Sequence, residues 1–215
     1  MPEPAHIAQP ASLEESRDTR GALRHSGIVR AMHWINAASF VGLAVSGVAI
    51  LLAHPRLYWG ETGAVGMPSL IDLPLPFLLT GQSGWGRSLH FLSAWGCVFA
   101  GLVYVIHGLA VRHFRDFIPH AEPRKYGALQ GYTYLAVVAL GFPLLVWTGL
   151  AMSPSIVSVF PAMQTVFGGQ QSARTIHFFL ALALAVFFVA HAAMVSATGF
   201  LTHMRAMITG REEKA

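Results

Sequence analysis

Apolar residues in this chain run in long stretches closed off by charges. No Asp, Glu, Lys or Arg occurs between Arg30 and Arg56, between Arg87 and Arg112, between Lys125 and Arg174, or between Arg174 and Arg205. A bilayer crossing takes about 20 apolar residues, so each stretch is long enough to span. The third has room for more than one crossing, but Ser153, Pro154, Ser155, Ser158, Pro161, Gln164, Gly168, Gly169, Gln170 and Gln171 make its second half a loop. The pattern predicts four helices, over about 28–52, 86–112, 128–152 and 173–198. Leu73–Trp85 is apolar but short and broken by Pro74, Pro76, Gly81 and Gly84, which predicts a loop or interfacial piece. The expected fold class is all-α, an integral membrane four-helix bundle over residues 28–200. A mobile tail over residues 1–27 and a second tail over 201–215 flank it.

Composition agrees with a lipid environment. Of 215 residues, 54% are hydrophobic and 11% charged, against roughly a quarter charged in ordinary soluble domains. Residues 1–25 mix Pro, Glu, Ser and Arg without an apolar core, so no cleavable signal peptide is expected and the first span acts as its own insertion signal. Lys and Arg number four before the first span, four between spans two and three and three after span four, against three in the other two loops. The positive-inside rule then predicts a multi-pass protein of the bacterial cytoplasmic membrane with both termini cytoplasmic. The same rule accounts for the basic excess, so nucleic acid is not an expected partner. Cys97, the single cysteine, lies inside span two, which excludes an internal disulfide and a Cys-x-x-Cys-His haem attachment.

The chemistry lies in the histidines. Of eleven, His33, His90, His107, His177 and His191 fall within spans. A polar group in hydrocarbon is costly and turns to the bundle interior to find a partner, which for any one histidine can be a backbone carbonyl. His177 and His191 are 14 residues apart on one helix, roughly 21 Å in depth and only about 40° in rotation. Two same-face imidazoles, one near each side of the bilayer, are what two stacked haems need. Depth then pairs His90 with His177 on the outer side and His33 with His191 on the inner side, unless His107, near the inner end of span two, takes part. His107 is rotated by about 100° from His90 and fits poorly on the same face, which leaves it structural or beside a quinone. His6, His25, His54, His113, His120 and His203 fall in tails and loops, where a solvated histidine needs no explanation.

Arg30, Arg87 and Arg174 each precede a candidate ligand by three residues, on the same side of the helix and one turn nearer the surface. They suit a charge-assisted pair with haem propionates, or simply snorkel at the helix ends. Gly47, 14 residues after His33, and Gly101, 11 after His90, share faces with those histidines, where a missing side chain admits a porphyrin or a neighbouring helix.

The strings RAMHWINAASFVGLAVSG, GRSLHFLSAWGCVFAGLVYVIHG, GLAMSP and GGQQSARTIHF resemble the bacterial cytochrome b561 superfamily, from about Arg30 to Gly210. Within it the chain is similar to the membrane cytochromes that serve formate dehydrogenase, nickel-iron hydrogenase, thiosulfate reductase and periplasmic molybdopterin oxidoreductases. The resemblance implies two haem b groups stacked across the bilayer, the inner held by His33 and His191 and the outer by His90 and His177. It also implies a quinone site beside the inner haem, at a Tyr-Asn-x-x-Gln-Lys-like motif. Here that stretch reads Tyr126, Gly127, Ala128, Leu129, Gln130, Gly131, with glycine in place of both Asn and Lys. Tyr126 and Gln130 are expected near the quinone, or else they cap span three.

The expected function is electron transfer between membrane quinone and a periplasmic oxidoreductase partner, docked on outer loops 53–85 and 153–172 through residues such as Pro74, Leu75, Pro76, Phe77 and Leu78. The chain itself has no catalytic residues beyond quinone redox. Two alternatives remain: a stand-alone oxidoreductase from superoxide or another small oxidant to quinone, and a haem-free transporter with a histidine proton relay.

Overall fold

The computed structural model describes residues 26–64, 66–74, 83–111, 132–133 and 136–210. Three charge-free stretches form helices long and apolar enough to cross a membrane: α1 (Gly27–Ala53), α2 (Ser83–Ala110) and, named below in chain order, α6 (Gln170–Ala197). Between α1 and α2, β1 (Arg56–Leu57) pairs antiparallel with β2 (Ile71–Asp72), Arg56 opposite Asp72. Those two side chains meet at 3.0 Å, and the carboxylate raises the Arg56 pKa further. The pair is exposed, so it contributes little to stability.

The remaining predicted span is described in part. Tyr132 and Thr133 are helical, Ala136–Gly141 is a π-helical stretch, and α3 (Phe142–Ala151) continues from it. Pro143 has no N–H to give to the carbonyl one turn back, and the turn before it widens instead of breaking. The expected loop over 153–172 is more ordered than its Ser, Pro and Gly content suggests. It contains α4 (Pro154–Val157) and α5 (Ala162–Thr165), and α6 begins at Gln170, three residues before the predicted start. At the start of the expected C-terminal tail, Phe200–Thr209 forms α7, set off by Gly199 at φ 113° and Gly210 at φ 80°. Glycine carries such left-handed angles without strain.

The chain divides into two compact units, Met32–Ala192 and the two chain ends, Met1–Ala31 with Ala193–Ala215. In the large unit the packing is inverted relative to a soluble bundle. Small residues lie inside, with Ser39, Ser46 and Ala49 of α1 and Ser93, Cys97 and Ala100 of α2 buried. Val41, Val45 and Val48 of α1 and Leu92, Trp95 and Phe99 of α2 are exposed. Lipid is as apolar as leucine, so helices in it associate through close backbone approach at small residues. A Cβ at Gly96 would lie 2.8 Å from Ser39 Oγ, and one at Gly86 would lie 3.3 Å from Ala49 Cβ. A Cβ at Gly42 would overlap Ser93. Each step up α1 is matched by a step down α2, so the two helices run antiparallel, and this register sets His90 opposite Ser46.

In the small unit, Arg30 Nη1 donates to the Ile208 carbonyl at 2.6 Å. Gly210 lies against the same guanidinium, where a Cβ would approach to 3.1 Å. A cation on the last carbonyls of a helix meets the negative end of its dipole.

Candidate functional site

The α1–α2 register and the start of α6 bring two of the predicted histidines together. The His90 and His177 rings are 6.2 Å apart between centroids, with planes inclined at 59°. Each ring is tied at Nδ1 to a buried hydroxyl on a third or fourth element. Ser46 Oγ of α1 lies 3.0 Å from His90 Nδ1, and Thr148 Oγ1 of α3 lies 2.9 Å from His177 Nδ1. Beside each ring a side chain is missing. A Cβ at Gly47 would lie 4.0 Å from His90 Cε1, and one at Gly149 would lie 3.5 Å from His177 Cε1.

This arrangement fits a metal between the two rings. Imidazoles on opposite sides of one first-row metal ion, each nitrogen about 2 Å from it, have ring centroids roughly 6 Å apart. With Nδ1 of both rings engaged, Nε2 is the nitrogen left for ligation. Among the described residues no group of three or more His, Cys, Asp or Glu side chains gathers as a metal site. Two imidazoles alone suit a metal whose other positions are filled by a macrocycle.

His33 and His191 are exposed side chains on α1 and α6. His33 stands edge-on to Trp34, and His191 stacks on Phe187 at 6.2 Å and 21°. Two contacts fix how those helices run. Phe40 stacks on Phe188 at 4.7 Å, and 14 residues on, the carbonyl of His54 accepts from Arg174, which is 14 residues back. In that register residue 37 of α1 lies opposite His191, four residues from His33, so the two histidines differ in depth by about 6 Å. Asn36 Oδ1, on the same stretch of α1, is buried with no hydrogen-bond partner among the described residues.

The three arginines divide. Arg174 bonds to the His54 carbonyl, and Arg174 and Arg87 both bear electrostatically on His54. His54 is exposed, and partial desolvation first, then the Arg174 and Arg87 cations, lower its pKa from the ordinary histidine value. Arg30, three residues before His33, donates to the Ile208 carbonyl at the end of α7. His107 sits half-buried on α2, and His203 pairs with Thr198 at 3.0 Å. Tyr126 and Gln130, with Leu75, Pro76, Phe77, Leu78, His6, His25, His113 and His120, lie outside the described residues.

The site includes residues the sequence did not single out. Ser46 and Thr148 read as small or weakly polar positions inside spans, and the only signal for them is their spacing from Gly47 and Gly149, their neighbours in the chain. The segment that seats α6 was equally hidden. The Gly60 carbonyl accepts from Gln171 N–H at 3.0 Å and Ser172 N–H at 3.3 Å, Gly60 N–H donates to Ser172 Oγ at 2.7 Å, and Thr175 Oγ1 donates to the Tyr58 carbonyl at 2.7 Å. The orphan N–H groups at the start of α6 are thus satisfied by a loop more than 100 residues earlier, one to two turns before His177.

Comparison with known proteins bears on the same features. Residues 24–210 match the family model described as prokaryotic cytochrome b561. The chain is also similar to a curated protein of Azospira oryzae, the putative protein-methionine-sulfoxide reductase subunit YedZ1. They share 28% identity over 192 residues, covering 80% of this chain and 89% of that protein. No solved structure matches the chain. With paired imidazoles between apolar helices and a match over nearly its whole length, the chain belongs to the prokaryotic cytochrome b561 family, multi-pass membrane proteins that bind haem b.

Proposed function

We propose that the chain is a di-haem electron-transfer subunit that moves electrons between membrane quinone and a periplasmic oxidoreductase. The observation that carries this reading is the facing pair His90 and His177, at the separation two axial ligands of one iron require. Those two residues would hold the outer haem, and His33 with His191, brought near one depth by the α1–α6 register, would hold the inner one. Bound haem b supplies a one-electron couple; the protein contributes ligation, burial and fixed geometry. Arg87 and Arg174, gathered around His54 at the outer level, supply positive charge toward propionates. Tyr126 and Gln130 are proposed to lie beside quinone at the inner level. The unequal distribution of Lys and Arg supports cytoplasmic termini.

The partner reading draws support from the similarity to a protein named as a reductase subunit. Around the outer loops Trp59, Leu70, Val159, Phe160 and Val166 are exposed apolar residues, suited to a docking protein. Haem binding by the family leaves the haem-free transporter without support.

Haem quantification and optical spectra of purified variants test the proposal. Wild-type protein is expected to carry two haems per chain. His90→Ala and His177→Ala each leave one, His33→Ala and His191→Ala each leave the other, and His107→Ala leaves two. One haem in the wild type, or two in His177→Ala, refutes the ligand assignment. Purification in mild detergent is expected to bring down a periplasmic oxidoreductase; protein that reduces quinone with superoxide and no partner favours the stand-alone alternative.

A further inference from the structure

We infer that Ser46 and Thr148 are positioning residues that use their hydroxyl oxygens as acceptors for the Nδ1–H groups of His90 and His177, holding both imidazoles in the tautomer that frees Nε2 and tuning the potential of the haem between them. This rests on the axial-ligand reading of those two histidines.

The argument is a count of protons. A hydroxyl has one hydrogen and two lone pairs, and a backbone carbonyl can only accept. Ser46 Oγ lies 2.6 Å from the Gly42 carbonyl and 3.2 Å from that of Leu43, and farther, 3.0 Å, from His90 Nδ1 than from the Gly42 oxygen. Thr148 Oγ1 lies 2.9 Å and 3.0 Å from the Leu144 and Leu145 carbonyls, with His177 Nδ1 at 2.9 Å. In both cases the hydrogen goes back to the helix turn below, the pattern serine and threonine adopt inside helices. The side facing the histidine is then lone pair, so Nδ1 must bring the hydrogen. A neutral imidazole has one N–H, and Nε2 is left bare. Ser46 and Thr148 are each 0% exposed, so no water competes for these bonds; on the His177 side the Leu145 carbonyl, which also accepts from Thr148, is a second acceptor within reach of the ring. The same device occurs twice, on different helices, on the two rings that face each other.

Two consequences differ from those of a residue that merely packs. An accepted Nδ1–H bond makes the imidazole a stronger donor to metal, which favours ferric over ferrous iron. The two bonds also resist rotation of the rings and so hold the 59° between their planes.

Redox titration with low-temperature EPR of ferric protein tests this on the holoprotein. Thr148→Val keeps shape and removes the acceptor; Ser46→Ala does the same on the other side. Each is expected to retain two haems and to raise the midpoint of one and the same haem. The predicted change is roughly threefold to tenfold in the ferric-to-ferrous ratio at fixed potential, where tenfold equals 59 mV for a one-electron couple. The low-spin EPR signal of that haem should shift as its ligand planes relax, and Thr148→Ser should restore both readouts. Two haems with unmoved potentials and EPR signals in Thr148→Val and Ser46→Ala overturn the inference while leaving the ligands standing, as do shifts on different haems. If Thr148→Val loses haem, Ser46→Ala and Thr148→Ser decide by the same readouts. Failure of the ligand reading shows separately, as two haems in His177→Ala.

Discussion

The contact between Gly169 and Gly60 supports the start of α6, and its loss should be the most damaging single-methyl change in the outer segment. Gly169 has φ 121° and is buried, and a Cβ there would lie 2.5 Å from both C and O of Gly60 and 2.7 Å from Glu61 N. These are backbone atoms that cannot rotate away. In Gly169→Ala the backbone angle alone costs about 1–3 kcal/mol. Relieving the overlap moves Gly60 and takes three hydrogen bonds with it, two from Gln171 and Ser172 and one to Ser172 Oγ. At about 0.5–1.5 kcal/mol net each, they add about 1.5–4.5 kcal/mol. Gly168 provides the control. It also has positive φ, 79°, but its added Cβ would meet only Ser172 Oγ at 3.8 Å, an ordinary contact. Gly168→Ala should therefore cost only the backbone angle, about 1–2 kcal/mol. At about 2–4 °C per kcal/mol for a chain of this size, the losses are on the order of 15 °C for Gly169→Ala and about 2–8 °C for Gly168→Ala. The measurement is the temperature at which half of the haem absorbance is lost, taken at one scan rate for both variants. Equal losses would mean that Gly60 does not seat α6 as described.

Burial and two cations depress the His54 pKa below 6.5, so as pH falls the unfolded chain takes up the proton first. Stability is then full above about pH 6.5 and declines as pH falls toward the folded value; His54→Gln should flatten that decline in thermal melts between pH 7 and pH 5, and an unchanged slope assigns it to other groups. Arg30→Met removes the donor to the Ile208 carbonyl and is expected to speed hydrogen exchange across Phe200–Thr209 without altering the haem spectrum; a spectral change would return Arg30 to the haem. Gly42→Val places a branched side chain against buried Ser93, which should lower the melting temperature more than Gly101→Val, where a Cβ meets nothing within 4 Å.

The spans were legible because lipid imposes one strong rule, the absence of charge, and that rule needs no partner. α1 ends within one residue of both expected boundaries. What was not legible depends on residues far apart in the chain. The start of α6 moved to Gln170 because a carbonyl at Gly60 satisfies its first N–H groups, and nothing local to Gln170 reveals that. α7 was missed because its cues, Gly199 and Gly210 at positive φ and a docked Arg30, lie at its ends, while its sequence is short and mixed. For the site, the 14-residue spacing of His177 and His191 and depth matching gave the His90–His177 pair. They could not give Ser46 and Thr148, whose partners are 44 and 29 residues away. The offset of three that grouped Arg30 with Arg87 and Arg174 is a property of each helix taken singly. What each guanidinium meets is decided by the element packed beside it.

On the two-haem proposal α1 contributes to both levels, and its length between them is then constrained as tightly as that of α6. His33 stands at one level and Gly47 leaves room beside His90 at the other, 14 residues along; His177 and His191 repeat that interval on α6. Fourteen residues return a helix to within about 40° of the same face, so a porphyrin at each level can meet one face of each helix. The Phe40–Phe188 stack and the Arg174–His54 bond are also 14 residues apart on both helices. Thus the contacts that lock α1 to α6 and the positions that serve the two levels share one period, and a single inserted residue between Phe40 and Ser46 would rotate Ser46 and Gly47 by about 100° away from His90 while leaving His33 in place. The spacing is therefore a requirement of the pair of helices together, and it ties the geometry of one proposed level to that of the other.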